Sequence, residues 1–205
     1  MSMKIIAVGR NYIDHAKELN NPVPEKPVIF LKPDTAVLKD NKDFYYPAFS
    51  SDIHYEVEVV LRICNEGKHI SKKFAHKYYD SIGLGIDFTA RDLQSELKSK
   101  GLPWELAKAF DHSAVVSSLV FKEEFDDLQN LDFCLKRNDE TVQQGNTKDM
   151  IFDFESLISF VSQYITLRKG DLIYTGTPAG VGPIRMGDKL EGFLEKKSMF
   201  TCQIK

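Results

Sequence analysis

The chain has 205 residues, of which 42% are hydrophobic and 28% are charged, and 27 basic residues nearly balance 30 acidic ones. This length suits one catalytic domain, residues 1–205, that is large enough to bury a substantial core. The near balance of charge, with a pI of about 6.0, argues against a nucleic-acid partner, since nucleic-acid-binding domains carry a basic face and a pI above about 9.

The cysteines and the apolar segments exclude further classes. Three cysteines are odd in number and far apart, so neither a disulfide framework nor a thiolate zinc site is expected. The apolar run at residues 5–8 is too short for a secretory signal, and no stretch approaches the ~18 apolar residues of a membrane helix. The sequence therefore predicts a cytoplasmic protein without a membrane partner.

Hydrophobic periodicity and turn residues predict the elements in chain order. Strands are expected at residues 5–9, 28–32, 53–63 and 81–88, and helices at 11–19, 71–79, 90–100 and 154–164. Residues 131–137 and 140–144 flank Asn138 and Asp139 as a hairpin, and strands follow at 172–175, 189–194 and 199–204. Many strands without regular βαβ alternation predict an α+β fold, mostly β, built on a mixed sheet.

Two glutamates stand two positions apart on the clearest strand, residues 53–63. Glu56 and Glu58 therefore project from one face, about 7 Å apart along the chain, and two like charges on one sheet face repel unless a cation or water intervenes. Oxygen ligands of this kind suit Mg²⁺ or Mn²⁺. Taken alone, however, the pattern more often marks a solvated strand face.

Asp87 follows the glycine-spaced apolar run at residues 82–86, at the end of a strand expected to be buried. A carboxylate buried alone costs several kcal/mol, so it must be paired or bound to a metal. The alternative is a helix N-cap formed by Asp87 or Thr89. From the residues alone, the three-carboxylate metal site and this alternative both stay open.

Seven short segments span nearly the whole chain: 9–18 (GRNYIDHAKE), 27–33 (PVIFLKP), 54–59 (HYEVEV), 85–92 (GIDFTARD), 101–104 (GLPW), 107–111 (AKAFD) and 175–183 (TGTPAGVGP). In this order they resemble the fumarylacetoacetate hydrolase family. No single segment is decisive, but seven in register are highly specific. The likeness is strongest to the compact branch of acylpyruvases and oxaloacetate decarboxylases or tautomerases.

The resemblance implies a mixed, rolled β-sheet fold of the fumarylacetoacetate hydrolase C-terminal domain type, usually a homodimer. It also implies Mg²⁺ or Mn²⁺ held by three carboxylates, which fall on Glu56, Glu58 and Asp87. The implied substrates are small 2-oxo acids. The implied reactions are hydrolysis of a carbon–carbon bond in acylpyruvates, decarboxylation of oxaloacetate, and keto–enol tautomerisation.

Further residues are expected around the metal. Lys108 lies in an apolar stretch, which directs its ammonium inward to stabilise enolate charge; the alternative is a snorkelling surface lysine. Arg91 and Gln94 share a helix face, and arginine suits capture of a substrate carboxylate. Family matching places both at the substrate, with Thr177 as a further donor. On sequence alone, Arg91 is an ordinary helix arginine and Thr177 builds its turn.

His15 and Glu18 are three apart on a predicted helix, so the carboxylate can orient the imidazole as a water-activating base. A surface pair with no catalytic role is the alternative. In the family this pair lies on a mobile lid, which corresponds to residues 11–27 and includes the Pro- and Asn-rich loop that starts at Asn20. Two competing functions remain: an isomerase or decarboxylase of longer unsaturated 2-oxo diacids from aromatic catabolism, and a non-catalytic, metal-stabilised binding protein.

Overall fold

A computed structural model describes residues 3–19, 22–39 and 41–205. Its strands are β1 (Ile5–Gly9), β2 (Val28–Lys32), β3 (Val37–Leu38), β4 (Ile53–Tyr55), β5 (Val57–Ile63), β6 (Tyr79–Asp87), β7 (Thr89–Ala90), β8 (Ala114–Val116), β9 (Val120–Phe121), β10 (Asp132–Arg137), β11 (Glu140–Asn146), β12 (Leu172–Tyr174), β13 (Gly182–Pro183), β14 (Lys189–Leu194) and β15 (Lys197–Gln203). Its α-helices are α1 (Ile13–Glu18), α2 (Arg91–Ser99), α3 (Glu105–Lys108) and α4 (Phe154–Tyr164). Short 3₁₀ helices lie at Asp34–Ala36, Lys72–Lys77, Lys122–Glu124 and Thr147–Asp149.

The largest sheet has the strand order β2-β1-β12-β5-β6-β8-β3, with β9 paired to β6 beside β8. Strand β1 is parallel to β12 and β3 is parallel to β8, whereas the other pairs are antiparallel. The predicted α+β, mostly β fold with a mixed sheet is therefore confirmed.

Two smaller sheets complete the β-structure. One has the order β11-β10-β14-β15, and the other has the order β13-β4-β7. The β10–β11 turn contains Asn138 and Asp139, whose φ angles are both positive, 51° and 69°. Two such residues at the centre of a tight hairpin have the backbone twist that suits the flanking strands, which confirms the predicted hairpin.

The central strands of the largest sheet are covered on both faces. In β5 every residue except Arg62 is buried, and in β6 every residue except Asp80 is buried. Helix α4 buries Phe154, Leu157 and Val161 in the same core. A strand buried on both faces needs a reason to carry a buried carboxylate, and β5 and β6 carry two of them, Glu58 and Asp87.

The structure differs from the predicted elements at two places. The single strand expected at 53–63 is interrupted at Glu56, because β4 pairs with β7 and β13 whereas β5 pairs with β6 and β12. The helix expected at 71–79 is a 3₁₀ helix at Lys72–Lys77. Helix α1 spans Ile13–Glu18, within the expected 11–19, and the first two residues of the predicted Pro- and Asn-rich loop, Asn20 and Asn21, lie outside the described residues.

Among the described residues, no helix combines the length and apolar character needed to cross a membrane.

Removing the N-cap of α4 tests whether side-chain capping stabilises this helix. The Asp153 side chain accepts a hydrogen bond from the backbone N–H of Ser156 at 2.8 Å. Asp153→Ala is expected to cost about 1 kcal/mol of unfolding free energy, which lowers Tm by about 2–4 °C in a domain of this size. Asp153→Asn keeps the acceptor and is the matched control. Equal Tm losses in both variants, measured by calorimetry, would contradict the capping role.

Candidate active site

Three carboxylates meet where β5 and β6 reach the break after β4. Glu58 pairs with Gly85 in the β5–β6 register, and the Asp87 N–H donates to the Glu56 carbonyl at 2.8 Å. This register brings Glu56, Glu58 and Asp87 together, with one oxygen of each within 4.8 Å of the others. All three residues are buried, Asp87 completely. The predicted cluster is therefore present as a geometric unit.

Lys108 supplies much of the positive charge at this cluster. Its Nζ donates to Glu56 Oε2 at 2.8 Å, to Asp87 Oδ2 at 2.6 Å and to Thr89 Oγ1 at 2.6 Å. The residue is the last of α3, and only 3% of it is exposed. The expected inward direction of the ammonium is thus observed, and the alternative of a surface lysine is wrong.

Two further cations lie against Glu56 and Asp87. Arg91 Nη2 donates to Glu56 Oε1 at 2.6 Å. Lys32 Nζ forms an ion pair with Asp87 Oδ1 at 2.5 Å. Lys32 also donates to the backbone carbonyl and the hydroxyl of Ser113. Each of the two carboxylates therefore has a cationic partner besides Lys108: partly buried Arg91 for Glu56 and buried Lys32 for Asp87.

Glu58 is the exception, because a neutral donor is its partner. Its Oε2 accepts the N–H of Gly176 at 2.7 Å. Gly176 has a φ of 103°, and a Cβ there would lie 2.6 Å from the Cβ of Asn11, so glycine is required on both counts. Burial, reinforced by the charges of Asp87 and Glu56, raises the pKa of Glu58 well above its usual value.

The opposite shift occurs at Glu56. Burial acts to raise its pKa, but Lys108 and Arg91 outweigh burial and hold the pKa below its usual value. Burial likewise acts to lower the pKa of Lys108, whereas Asp87 and Glu56 raise it overall. The cluster therefore contains ionised Glu56 and Lys108 beside one carboxylate, Glu58, that lacks a compensating cation.

Helix α1 covers the cluster and carries the predicted His–Glu pair. His15 is 5% exposed, and its Nδ1 lies 3.4 Å from Glu18 Oε2. Glu18 also accepts the N–H of Gly180 at 3.0 Å, which ties α1 to the turn after β12. Burial lowers the pKa of His15, although Glu56 and Glu18 act in the opposite direction, so the imidazole is neutral at pH 7.

The predicted substrate-binding residues occupy two places. Arg91 and Gln94 line the same cleft as His15, and Arg91 Nη1 donates to Gln94 Oε1 at 2.6 Å. Thr177 is buried in the turn beside Gly176, where its hydroxyl accepts a hydrogen bond from Gln143 Nε2 at 2.9 Å. Thr177 is not among the residues that line the cleft, and its place at the substrate stays a prediction.

Sequence reasoning missed three residues that hold the site together. Lys32 is the buried cation that pairs with Asp87. Thr89 bridges Lys108 and Glu56, and its hydroxyl lies 3.0 Å from Glu56 Oε1. The side-chain oxygen of Gln143 accepts the N–H of Val57 at 2.9 Å. The sequence does offer a signal for a buried Lys32, because it shares a strand face with Phe30 and the expected strand at residues 28–32 is otherwise apolar. No local pattern marks Gln143, because its partners are far away in the chain.

A narrow cleft leads to the cluster between α1, α2 and α3. Its free volume is about 30 Å³, which is the share of one molecule in liquid water. A small organic acid therefore enters only after α1 or lining side chains move. The cleft is lined by Gly9, Arg10, His15, Leu19, Phe30, Glu56, Arg91, Gln94, Lys98, Trp104 and Lys108.

The residues present fit a hard divalent cation. The donors are three carboxylates, the oxygen ligands that Mg²⁺ and Mn²⁺ prefer. Buried Glu58 accepts a backbone N–H but has no cationic partner among the described residues, which leaves negative charge for an ion to balance. Glu56, Glu58 and Asp87 are therefore the residues that would hold the ion.

Replacing Glu58 by glutamine is expected to stabilise the metal-free protein and to weaken metal binding. Without metal, Glu58→Gln removes an uncompensated charge and raises Tm by about 2–4 °C, the effect of about 1 kcal/mol in a domain of this size. With metal, the loss of a ligand weakens Mn²⁺ binding by more than about 100-fold, since changes in outer-shell partners alone cost 10–100-fold. Calorimetric titration and thermal unfolding measure both effects.

The pH dependence gives the control for Glu58→Gln. The folded pKa of Glu58 is raised, so wild-type stability is complete below the unfolded value of about 4.3 and is lost as pH rises through the folded value. The advantage of the variant is therefore absent near pH 4 and largest at neutral pH. A lower metal-free Tm for the variant at pH 7 would contradict this account of the cluster.

Comparison with known proteins gives an independent result. The family model "Fumarylacetoacetate (FAA) hydrolase C-terminal" matches residues 4–205. A mouse protein named oxaloacetate tautomerase FAHD1, mitochondrial, is 46% identical over 191 residues, which are 93% of this chain and 86% of that protein. Oxaloacetate decarboxylase, mitochondrial, of Dictyostelium discoideum is 43% identical over 189 residues, 92% of this chain and 87% of that one.

A solved structure agrees with these relatives. Fumarylpyruvate hydrolase from Pseudomonas aeruginosa, in complex with Mn²⁺ and pyruvate, superimposes with a TM-score of 0.93 at 32% identity. The match covers 98% of this chain and 88% of that structure. A similarity of this extent supports the fold over nearly the whole chain.

Proposed function

The chain belongs to the fumarylacetoacetate hydrolase family, and on that premise we propose that it is a Mg²⁺- or Mn²⁺-dependent enzyme of small 2-oxo acids. Its reactions would be tautomerisation and decarboxylation of oxaloacetate and hydrolysis of acylpyruvates. The relatives named oxaloacetate tautomerase and oxaloacetate decarboxylase support the first two. The fumarylpyruvate hydrolase supports the third.

One observation carries the proposal: three buried carboxylates with oxygens within 4.8 Å lie beside a buried lysine and a covered histidine. In a purely structural ion-pair cluster, each buried carboxylate would have a cation of the protein as its partner. A metal site instead leaves carboxylate charge for the ion, as at Glu58. A non-catalytic binding protein does not need a neutral histidine held against a carboxylate. Both features are present together, and they favour a catalyst.

A bound divalent cation would supply Lewis-acid polarisation of the 2-oxo group. The residues of the chain would do the rest. Arg91 has a buried Nε without a hydrogen-bond partner among the described residues, and with Gln94 it would orient the substrate's 1-carboxylate. Lys108 would stabilise negative charge as it develops on the 2-oxo oxygen, since its ammonium is fixed before the reaction begins.

The three reactions would differ in what His15 does. In decarboxylation, the bond to the distal carboxylate breaks, CO₂ leaves, and the electron pair forms the enolate of pyruvate facing Lys108. In hydrolysis, His15 would take a proton from water, whose oxygen adds to the distal carbonyl; the carbon–carbon bond then breaks to give a carboxylic acid and the same enolate. Tautomerisation needs only the transfer of a proton between carbon and oxygen.

The test is turnover of oxaloacetate and acetylpyruvate by metal-stripped protein, with and without added Mg²⁺ or Mn²⁺. Turnover of either substrate that depends on the metal is the expected result, and kcat/KM ranks the reactions. Metal binding without turnover of either would contradict the proposal. It would favour the longer unsaturated 2-oxo diacids of aromatic catabolism, or a binding role.

Assembly and location extend the proposal. We infer a homodimer, as the family resemblance implies, and light scattering would measure its mass. We also propose a cytoplasmic location, whereas the names of the mouse and Dictyostelium relatives place those proteins in mitochondria. Fractionation of source cells separates the two locations.

A further inference from the structure

Two cations at the rim of the active-site cleft have no part in the carboxylate cluster. Arg10 follows β1, and Lys98 lies near the end of α2. Both line the cleft together with Arg91 and Lys108. Because the cleft is narrow, positive charges on its rim lie within a few ångströms of any ligand that it admits.

These two cations differ from the others in their pairing. Lys108 and Arg91 are hydrogen-bonded to Glu56 or Asp87. In contrast, no carboxylate of the described residues lies within 4.0 Å of the Arg10 or Lys98 side-chain nitrogens. Within the described part of the chain, these two cations therefore have no carboxylate partner.

The backbone at Arg10 is strained to hold it there. Its φ is 62°, in the left-handed region that costs a residue other than glycine roughly 1 kcal/mol or more. Half-buried Lys98 lies with its Nζ 5.2 Å from the centre of the Trp104 ring. Burial lowers the pKa of Lys98, and the charges of Arg10 and Arg91 lower it further. An anion between these groups would relieve their repulsion.

We propose that Arg10 and Lys98 bind the distal carboxylate of the substrate and so select 2-oxo diacids over 2-oxo acids with a neutral distal group. This inference rests on the proposed function and narrows its substrate class. The 1-carboxylate and 2-oxo group would face the carboxylate cluster, Arg91 and Lys108. A second carboxylate at the other end of a short chain would then point along the cleft towards its rim.

Binding of a matched pair of ligands tests the proposal apart from turnover. With Mn²⁺ present, 2-oxoglutarate and 2-oxopentanoate differ only in that a distal carboxylate replaces a methyl group. Trp104 is the single tryptophan of the chain and lines the cleft, so its emission reports binding of both. Wild-type protein is expected to bind the diacid about tenfold or more tightly, since hydrogen bonds to charged groups contribute at least that factor.

The variants are Arg10→Asn, which tolerates the left-handed backbone, and Lys98→Met. Each is expected to reduce the preference for 2-oxoglutarate to about threefold or less while changing 2-oxopentanoate binding less than about twofold. The control is Lys100→Met, because Lys100 is the exposed residue directly after the same helix and is paired with Glu96; it should leave the preference unchanged. All measurements share one ionic strength, because salt screens such charges.

Kinetics with oxaloacetate and acetylpyruvate separate the diacid subsite from the proposed function. Arg10→Asn should raise KM for oxaloacetate about tenfold with little change for acetylpyruvate. Equal changes for both substrates, or a wild-type protein that binds the two probes equally, would overturn the diacid subsite and leave the proposed function standing. Absence of turnover in wild type would instead overturn the proposed function, and the ratio of probe affinities would still decide on the subsite.

Discussion

Replacing Lys108 by methionine is expected to lower kcat for oxaloacetate by about a thousandfold at saturating Mg²⁺. The ammonium is fixed by Glu56, Asp87 and Thr89 at 2.6–2.8 Å, so under the proposed mechanism its charge is in place before the reaction begins. Methionine has a similar length and no charge. KM should change much less than kcat, because the interaction strengthens mainly in the transition state.

The same substitution should also destabilise the metal-free protein. Glu56 and Asp87 are buried, and removing one partner of a buried ion pair costs roughly 3–5 kcal/mol. In a domain of this size that is a Tm loss of about 10 °C, of which added Mg²⁺ or Mn²⁺ should restore a part. Lys100→Met serves as the control, since it breaks only an exposed pair with Glu96. A Lys108→Met enzyme that keeps more than a tenth of kcat would contradict the role of Lys108.

Much of the fold follows from short-range patterns. The strands Val28–Lys32 and Lys189–Leu194 and the helix Phe154–Tyr164 have the predicted bounds, because alternation, helical spacing and turn residues act locally. The parallel pairing of β1 with β12 joins residues 167 positions apart, such as Ile5 and Leu172. Nothing local encodes such a pairing, since it depends on how whole surfaces are buried.

The candidate site likewise contains residues that local patterns predict and residues that only the tertiary structure reveals. Glu56 and Glu58 could be predicted to share a face because side chains alternate along a strand, and Lys108 could be predicted to point inward from its apolar surroundings. Lys32 and Gln143 could not, because their partners Asp87 and Val57 are reached only through the tertiary structure. The break at Glu56 could not be predicted either, because it arises where β4 and β5 join different sheets.

Replacing His15 by asparagine is expected to separate the hydrolase from the decarboxylase. Hydrolysis of acetylpyruvate needs a base to take a proton from water, and loss of a positioned base costs about 10²–10⁴-fold. Decarboxylation of oxaloacetate needs no attacking water, and solvent can protonate its enolate, so its loss should stay below about tenfold. Asparagine preserves the polarity and approximate volume of the buried position.

The pH profile of the wild-type enzyme supplies a second, independent readout of His15. Burial lowers the pKa of His15 from its usual value, so the base stays unprotonated at neutral pH, and kcat/KM for hydrolysis should fall only on the acid side of about 6.5. Glu18→Gln keeps an acceptor for the Gly180 N–H but removes the charge that favours the imidazolium, so it should shift this limb further to acid. If His15→Asn slowed both reactions equally, His15 would be a positioning residue of the covering helix and the base would have to be sought elsewhere.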